Sequence, residues 1–257
     1  MNFVLSNIPQ RPPKPRPHGL TMVMDKGLSL RETEDMIQGS GEYVDIVKLG
    51  FGSSMITAKL EEKIALYRAA SIPLYFGGTL LEAFIIRGQF EDYLRLLDKY
   101  KMTHAEISDG SITISHEDKC NYIRKLASQV TVISEVGSKE EGIIIHPNMW
   151  IDMMKSELQA GAWKVIAEAR ESGTVGIYRS SGKAHVVLIN RILSNVPQEQ
   201  IIWEAPQKSQ QAWFIKLIGA NVNLGNISPS EVIALESLRL GLRSDTFFQF
   251  IPHLKKS

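Results

Sequence analysis

The chain has 257 residues, 44% of them hydrophobic and 22% charged, with a formal net charge of +1. That length matches the roughly 250 residues of a single eight-stranded α/β barrel, and the near-neutral charge excludes a global attraction to nucleic acid or an anionic membrane. No run reaches the ~18 apolar residues of a membrane span, and the single cysteine, Cys120, fits a reducing compartment, so a cytoplasmic protein with a small partner is expected.

The first residues, Met1 to Gln10, are too short and too polar for a signal peptide. Arg11-Pro12-Pro13-Lys14-Pro15-Arg16-Pro17 follows, stiff and extended because each proline fixes its own φ and biases the residue before it away from helix. Residues 1–18 therefore read as an arm lying across the base or mouth of one domain, residues 19–257.

From there one phrase recurs eight times: a short apolar, β-branched run that stops in charged residues, amides and glycines. The runs are Leu20 to Met24 before Asp25-Lys26-Gly27, Val44 to Leu49 before Gly50-Phe51-Gly52, Leu74 to Phe76 before Gly77-Gly78-Thr79, and Ala105 to Ile107 before Ser108-Asp109-Gly110. Val130 to Ile133 then precedes Ser134-Glu135-Val136-Gly137, Val165 to Ala167 precedes Glu168-Ala169-Arg170, Ile201 to Trp203 precedes Glu204-Ala205-Pro206-Gln207-Lys208, and Val222 to Leu224 precedes Gly225-Asn226. Between them, patterns of helical period run over Leu30 to Ile37, Leu60 to Ala69, Phe90 to Lys99, His116 to Ala127, Trp150 to Gln159 and Gln211 to Leu217. The first follows Ser29 with Glu32 at capping-box spacing.

Alternating strands and helices predict a parallel sheet with right-handed crossovers. A doubly wound open sheet would use the same units but concentrates its site at one switch point, whereas here every strand end is polar. The expected fold is α/β, a (β/α)8 TIM-type barrel in a single domain, with chemistry on the carboxyl-terminal rim. The longest connection, Ser138 to Met149, is a candidate lid.

Acids gather at the later strand ends: Glu106, Glu135, Glu168 and Glu204, with Asp25 and Asp109 close by. Carboxylates converging on one mouth repel each other unless a cation intervenes, and oxygen donors on rigid strands suit a hard divalent ion such as Mg²⁺. The plainer alternative is that some of them pair with Lys48, Lys164 or Arg170 as structural bridges. Lys48 ends an apolar strand, where an ammonium needs a carboxylate or an anionic ligand; a Schiff-base nucleophile is a further possibility. Lys164 starts its strand and is expected solvated on the opposite face. The glycine turns at Gly50, Gly77-Gly78-Thr79 and Gly137 let backbone N–H groups approach an anion. Cys120 is expected to be a bystander, and of the histidines only His146, in the long loop, is placed to reach a substrate. No histidine pair has zinc spacing and no serine sits in a nucleophile elbow.

At these strand ends the chain resembles the phosphosulfolactate synthase family. The stretches that carry the resemblance include Asp25-Lys26-Gly27, Val47-Lys48-Leu49-Gly50-Phe51-Gly52-Ser53-Ser54, Phe76-Gly77-Gly78-Thr79-Leu80, Glu106-Ile107-Ser108-Asp109-Gly110 and Ser134-Glu135-Val136-Gly137-Ser138-Lys139. They continue through Glu168-Ala169-Arg170-Glu171-Ser172-Gly173, Glu204-Ala205-Pro206-Gln207-Lys208, Val222-Asn223-Leu224-Gly225-Asn226 and Leu240-Gly241-Leu242-Arg243-Ser244-Asp245, over almost the whole of residues 19–248. The resemblance implies a barrel enzyme that adds sulfite to phosphoenolpyruvate with Mg²⁺. It implies Lys139 as proton donor and Arg170 as a second catalytic group holding an anion. Lys26, Lys48, Gly78, Thr79, Lys208 and Asn223 are then expected at the substrate, and Asp25, Glu135, Glu168 and Glu204 at the metal. The expected partners are those two small molecules and further copies of the chain. Two other readings stay open: a Schiff-base aldolase using Lys48, and a noncatalytic barrel protein related to the family's plant heat-tolerance members.

Overall fold

A computed structural model describes residues 2–137, 146–169 and 172–251. Eight strands alternate with helices: β1 (Thr21–Asp25), β2 (Ile46–Leu49), β3 (Leu74–Phe76), β4 (His104–Ile107), β5 (Thr131–Val136), β6 (Ala162–Ala167), β7 (Ile201–Glu204) and β8 (Leu224–Ile227). Every registered pair is parallel, in the order β3-β2-β1-β8-β7-β6-β5-β4, and β3 and β4 at the two ends pack side by side, so the sheet curls into a nearly closed TIM-type barrel.

The helices are α1 (Leu30–Ser40), α2 (Leu60–Ala69), α3 (Gly78–Ile85), α4 (Phe90–Lys99), α5 (His116–Ala127), α6 (Pro147–Gln159), α7 (Val186–Leu193), α8 (Lys208–Ile218) and α9 (Val232–Arg239). The capping box of Ser29 and Glu32 forms as its spacing predicts. Helices α3, α7 and α9 are absent from the sequence reading, because α3 begins inside a glycine turn and α7 is apolar almost throughout, which blurs helical period.

Two apolar cores follow from the alternation of the strands. Side chains such as Val23, Val47, Ile107, Val165 and Trp203 face outward and pack beneath the helices, where Trp203 stacks on Phe214 with ring centroids 5.0 Å apart. Met22, Ile46, Tyr75, Ile133, Ile166 and Ile202 form a separate cluster that fills the barrel interior. Gly225 belongs to that interior: a Cβ there would lie 2.6 Å from Met22 Cε and 3.0 Å from Ile202 Cγ2.

The arm closes the base. Arg11 donates to Glu236, Asn221 and the Gly19 carbonyl, and Arg16 pairs with Asp45 at 2.7 Å. Fully buried Arg239 donates to the carbonyls of Ala220, Val222 and Leu20, tying β8 to β1. Lys164 lies at this end as expected but is not solvated. It is buried, donates to the carbonyls of Pro17 and Glu199, and burial pulls its ammonium down to about 8.

The expected β8 was Val222 to Leu224, and the strand sits two residues later. The correction moves Asn223 to the base, where it accepts from Leu20 N and donates to the carbonyls of Glu199 and Ile201. Its amide is engaged by backbone at the closed end, away from the rim, where Asn226 stands instead. His146 caps α6 through its Nδ1 rather than standing in a loop, and most of the expected lid lies outside the described residues.

Candidate active site

Two residues above four of the interior apolar side chains, on the same inward face, a different chemistry begins. Ile46 gives way to Lys48, Ile133 to Glu135, Ile166 to Glu168 and Ile202 to Glu204, because inward positions recur with period two, while Met22 is followed by Met24. These residues, with Phe51, Thr79, Glu106, Gly110, Ser111, Ser172 and Asn226, line a cavity of about 600 Å³ at the carboxyl ends of the strands.

Lys48 stands at its centre. The ammonium is 2.9 Å from Glu106, 3.3 Å from Glu135 and 3.8 Å from Glu204, and all four side chains are buried. Burial alone would lower the lysine, but the three carboxylates outweigh it and hold the ammonium well above its ordinary value. The acids respond in the opposite direction. Burial and the neighbouring Glu135 push Glu204 up to about 8 against the pull of Lys48, and burial likewise raises Glu106. Among the described residues the Lys48 ammonium is shared by three of these carboxylates.

Backbone donors orient the acids. Glu106 accepts from Gly78 N at 2.7 Å, and Glu204 accepts from Ala169 N at 2.7 Å. Gly78 is required here, since a Cβ would lie 2.8 Å from Ser108 Cβ and 3.0 Å from Glu106 Oε1. One oxygen of each of these acids, Glu106 Oε2 and Glu204 Oε1, is buried with no hydrogen-bond partner.

A second ring of charges outside the barrel suspends the rim from the helices. Fully buried Lys119 of α5 donates to Asp109 at 3.0 Å, to Glu157 of α6 at 3.0 Å and to the Glu135 carbonyl at 2.6 Å. Glu82 of α3 accepts from the Ser108 hydroxyl and from Ser111 N, which fixes the loop that walls the cavity. Cys120 is buried 3.6 Å from His116 Nε2, and burial pushes its thiol up, as suits a bystander.

Of the expected site residues, the cavity brings together Lys48, Thr79, Glu135, Glu168 and Glu204, with Gly78 as a donor to its wall. Asp25 is elsewhere. It points outward on β1, where Lys63 at 3.0 Å, Tyr67 at 2.9 Å and the N–H groups of Gly27 and Leu28 satisfy it, so its place as a metal ligand is corrected. Lys208 pairs with Asp245 at 2.6 Å, and neither it nor exposed Lys26 lines the cavity. Lys139 and Arg170 lie outside the described residues. Glu106 takes a central role that the sequence reading left unassigned, although its strand-end position marked it; Asn226 was marked by the Leu224-Gly225-Asn226 turn after the eighth strand, where barrels often hold phosphate, while Ser111 and Ser172 gave no signal beyond loop polarity.

For a metal, the donor set has the chemistry a hard cation takes: carboxylate oxygens, two of which, Glu106 Oε2 and Glu204 Oε1, have no hydrogen-bond partner. Among the described residues no three acidic, histidine or cysteine donors are grouped tightly enough to be a ready-made site. The Lys48 ammonium stands between three of them. No helix among the described residues is long and apolar enough to cross a membrane.

Comparison with known proteins bears on what this rim does. The sequence model of the (2R)-phospho-3-sulfolactate synthase (ComA) family matches residues 9–245. The chain is 40% identical over 251 residues to the phosphosulfolactate synthase of Bacillus subtilis (strain 168), covering 96% of this chain and 100% of that one. It is 40% identical over 244 residues to the phosphosulfolactate synthase of Methanothermobacter thermautotrophicus, covering 93% and 95%. Among solved structures, 3-hexulose-6-phosphate synthase from Salmonella typhimurium superposes with a TM-score of 0.57 over 87% of this chain and 100% of that one; at 13% identity this is a likeness of fold alone.

Proposed function

Because the chain belongs to the phosphosulfolactate synthase family, we propose that its mouth cavity adds sulfite to phosphoenolpyruvate with Mg²⁺, as a carbon–sulfur lyase running in the synthetic direction. The observation that carries the reading is the buried cluster of Lys48 with Glu106, Glu135 and Glu204 at the mouth, carboxylate oxygens of the kind a hard cation takes beside a fixed ammonium.

In this reaction the sulfur lone pair of sulfite forms a bond to the methylene carbon. The double-bond electrons move onto C2 and the carboxylate as an enolate, and a proton delivered to C2 completes 2-phospho-3-sulfolactate. The phosphate ester stays intact throughout. Lys48, held as an ammonium, supplies a fixed positive charge near the developing enolate, and desolvation strengthens that attraction. Glu135, Glu168, Glu204 and Glu106 would hold Mg²⁺, which when bound stabilises negative charge on the substrate carboxylate. Lys139, three residues beyond β5 in sequence, is assigned the proton delivery, and Arg170, two residues beyond Glu168, the bidentate grip on an anionic group. The same reading takes the enzyme as cytoplasmic and homo-oligomeric.

A Schiff-base aldolase is disfavoured on a specific ground. That chemistry needs a neutral amine, and three carboxylates hold Lys48 protonated. Incubating the purified chain with phosphoenolpyruvate, sulfite and Mg²⁺ tests the proposal; loss of phosphoenolpyruvate that requires sulfite supports it, and none at any pH from neutral upward sinks it.

A further inference from the structure

A second cavity, of about 570 Å³, lies behind the wall of the first. Ser172 lines the mouth cavity and its carbonyl accepts from Gln207 Nε2 at 2.6 Å, while Gln207 lines the second cavity from the other side. The far wall is a short hairpin between β6 and α7, closed by the Tyr178–Ala184 bridge and by Gly182 N donating to the Arg179 carbonyl at 2.8 Å. Both walls are fixed. Gln210 of α8, only 2% exposed, donates to the carbonyls of Gly173 and Gly182, and the Tyr178 hydroxyl donates to the Glu204 carbonyl at 2.6 Å. The space is thus held open by the fold, as pockets for small ligands usually are.

Its charge is one-sided. Arg179 and Lys183 both line it, and no lining residue is acidic. The two stand directly opposite each other across the hairpin, where Arg179 N donates to the Lys183 carbonyl at 2.9 Å, and among the described residues neither forms an ion pair. Like charges placed opposite each other on paired strands oppose the pairing, and an anion held between them removes that cost. His185 lies in the same field: burial first, and then the Arg179 charge, lower its imidazole. The remaining lining is partly apolar, with the Trp213 indole and Val186, which is 46% exposed at the first position of α7. A bare inorganic ion would leave those surfaces to water, whereas an apolar body beside the anionic group covers them. We propose that this cavity binds a small organic anion, a phosphate or sulfonate group on a planar apolar body, with Arg179 and Lys183 gripping the oxyanion and Trp213 and Val186 covering the body. The site is separate from the mouth, and nothing in it depends on the reaction there.

Phenyl phosphate and benzenesulfonate are suitable probes, each titrated calorimetrically into the full chain beside inorganic phosphate and sulfate. One equivalent of probe should bind at least about tenfold tighter than the matching inorganic ion, and the tighter of the two probes identifies the head group. In the double variant Arg179→Gln with Lys183→Gln that affinity should fall about ten- to a hundredfold, the worth of hydrogen bonds to a charged group. The melting temperature of the variant without probe should equal or exceed that of the parent, because the opposed cations are gone. Parental affinity in the variant puts the probes elsewhere and overturns the proposal, as does failure of both probes to bind the parent at millimolar concentration. Inorganic ions that bind as tightly as the probes overturn the apolar part of the ligand class.

Discussion

Replacing Lys48 with methionine tests whether the rim is a charged device. The ammonium is 6% exposed and is shared by Glu106, Glu135 and Glu204, so its removal leaves three buried carboxylates facing one another. Breaking a buried pair by deleting one partner costs about 3–5 kcal/mol. For a domain of this size each kcal/mol moves the melting temperature by roughly 2–4 °C, so a fall of about 6–20 °C is expected. The loss should depend on pH. Glu204 has its folded value raised from 4.5 to about 8, so its protonated form contributes stability that is fully present below 4.5 and is lost as pH rises through about 8. Without Lys48 these carboxyls rise further, and acid relieves their repulsion by neutralising them. Differential scanning calorimetry of parent and variant should therefore show a smaller gap at about pH 5.5 than at about pH 8.5. Equal melting temperatures at both values, or a gap that widens in acid, would falsify the account of Lys48 as the ion that holds the floor together.

Three further outcomes follow from the same geometry. On the proposed reading Mg²⁺ displaces a proton from Glu204, so its affinity should climb about tenfold per pH unit between about 6 and 8, with proton release visible in calorimetry across buffers of different ionisation heat; a pH-independent affinity contradicts the assigned ligand. Gly78→Ala pushes a methyl toward Ser108 Cβ and Glu106 Oε1, and activity should drop at least about tenfold, whereas unchanged kcat and KM would show that the wall yields. Lys119→Met strands Glu157 and Asp109 behind β5 and should cost about 3–5 kcal/mol in urea unfolding; a midpoint within error of the parent would mean the network relaxes freely.

The barrel was legible because its strands announce themselves by β-branched runs ending in polar turns, and because inward positions recur with period two. The rim acids were legible for the same reason: Glu135, Glu168 and Glu204 each stand two residues beyond an interior isoleucine. What escaped was direction at the strand tips. Asp25 ends β1 facing outward, so nearness in sequence to the mouth put it against Lys63 and Tyr67 instead of the cavity. Asn223 and Asn226 are both amides beside β8, and only the strand's register separates a base clamp from a wall of the site. Lys208 and Lys119 show the same limit, since ion pairs between elements distant in the chain leave no local pattern.

The change from Ile46, Ile133, Ile166 and Ile202 to Lys48, Glu135, Glu168 and Glu204 happens within one period of the same strands, at equal burial. The apolar layer shows what the interior uses when packing alone decides, so the charged layer above it is not explained by packing, and taking its ionised groups out of water costs solvation. A noncatalytic scaffold would gain by extending the apolar layer to the rim. An aldolase would need its lysine neutral, and here burial's downward pull is overcome by three acids. What does fit is a site whose charge is completed only when cations and substrate arrive together. On the proposed reading a trianion such as phosphoenolpyruvate is repelled by these carboxylates, and would bind once a divalent ion and Lys48 together offset them. On that reading the acids are themselves the selective element: the pocket would admit an anion only in company with a divalent cation.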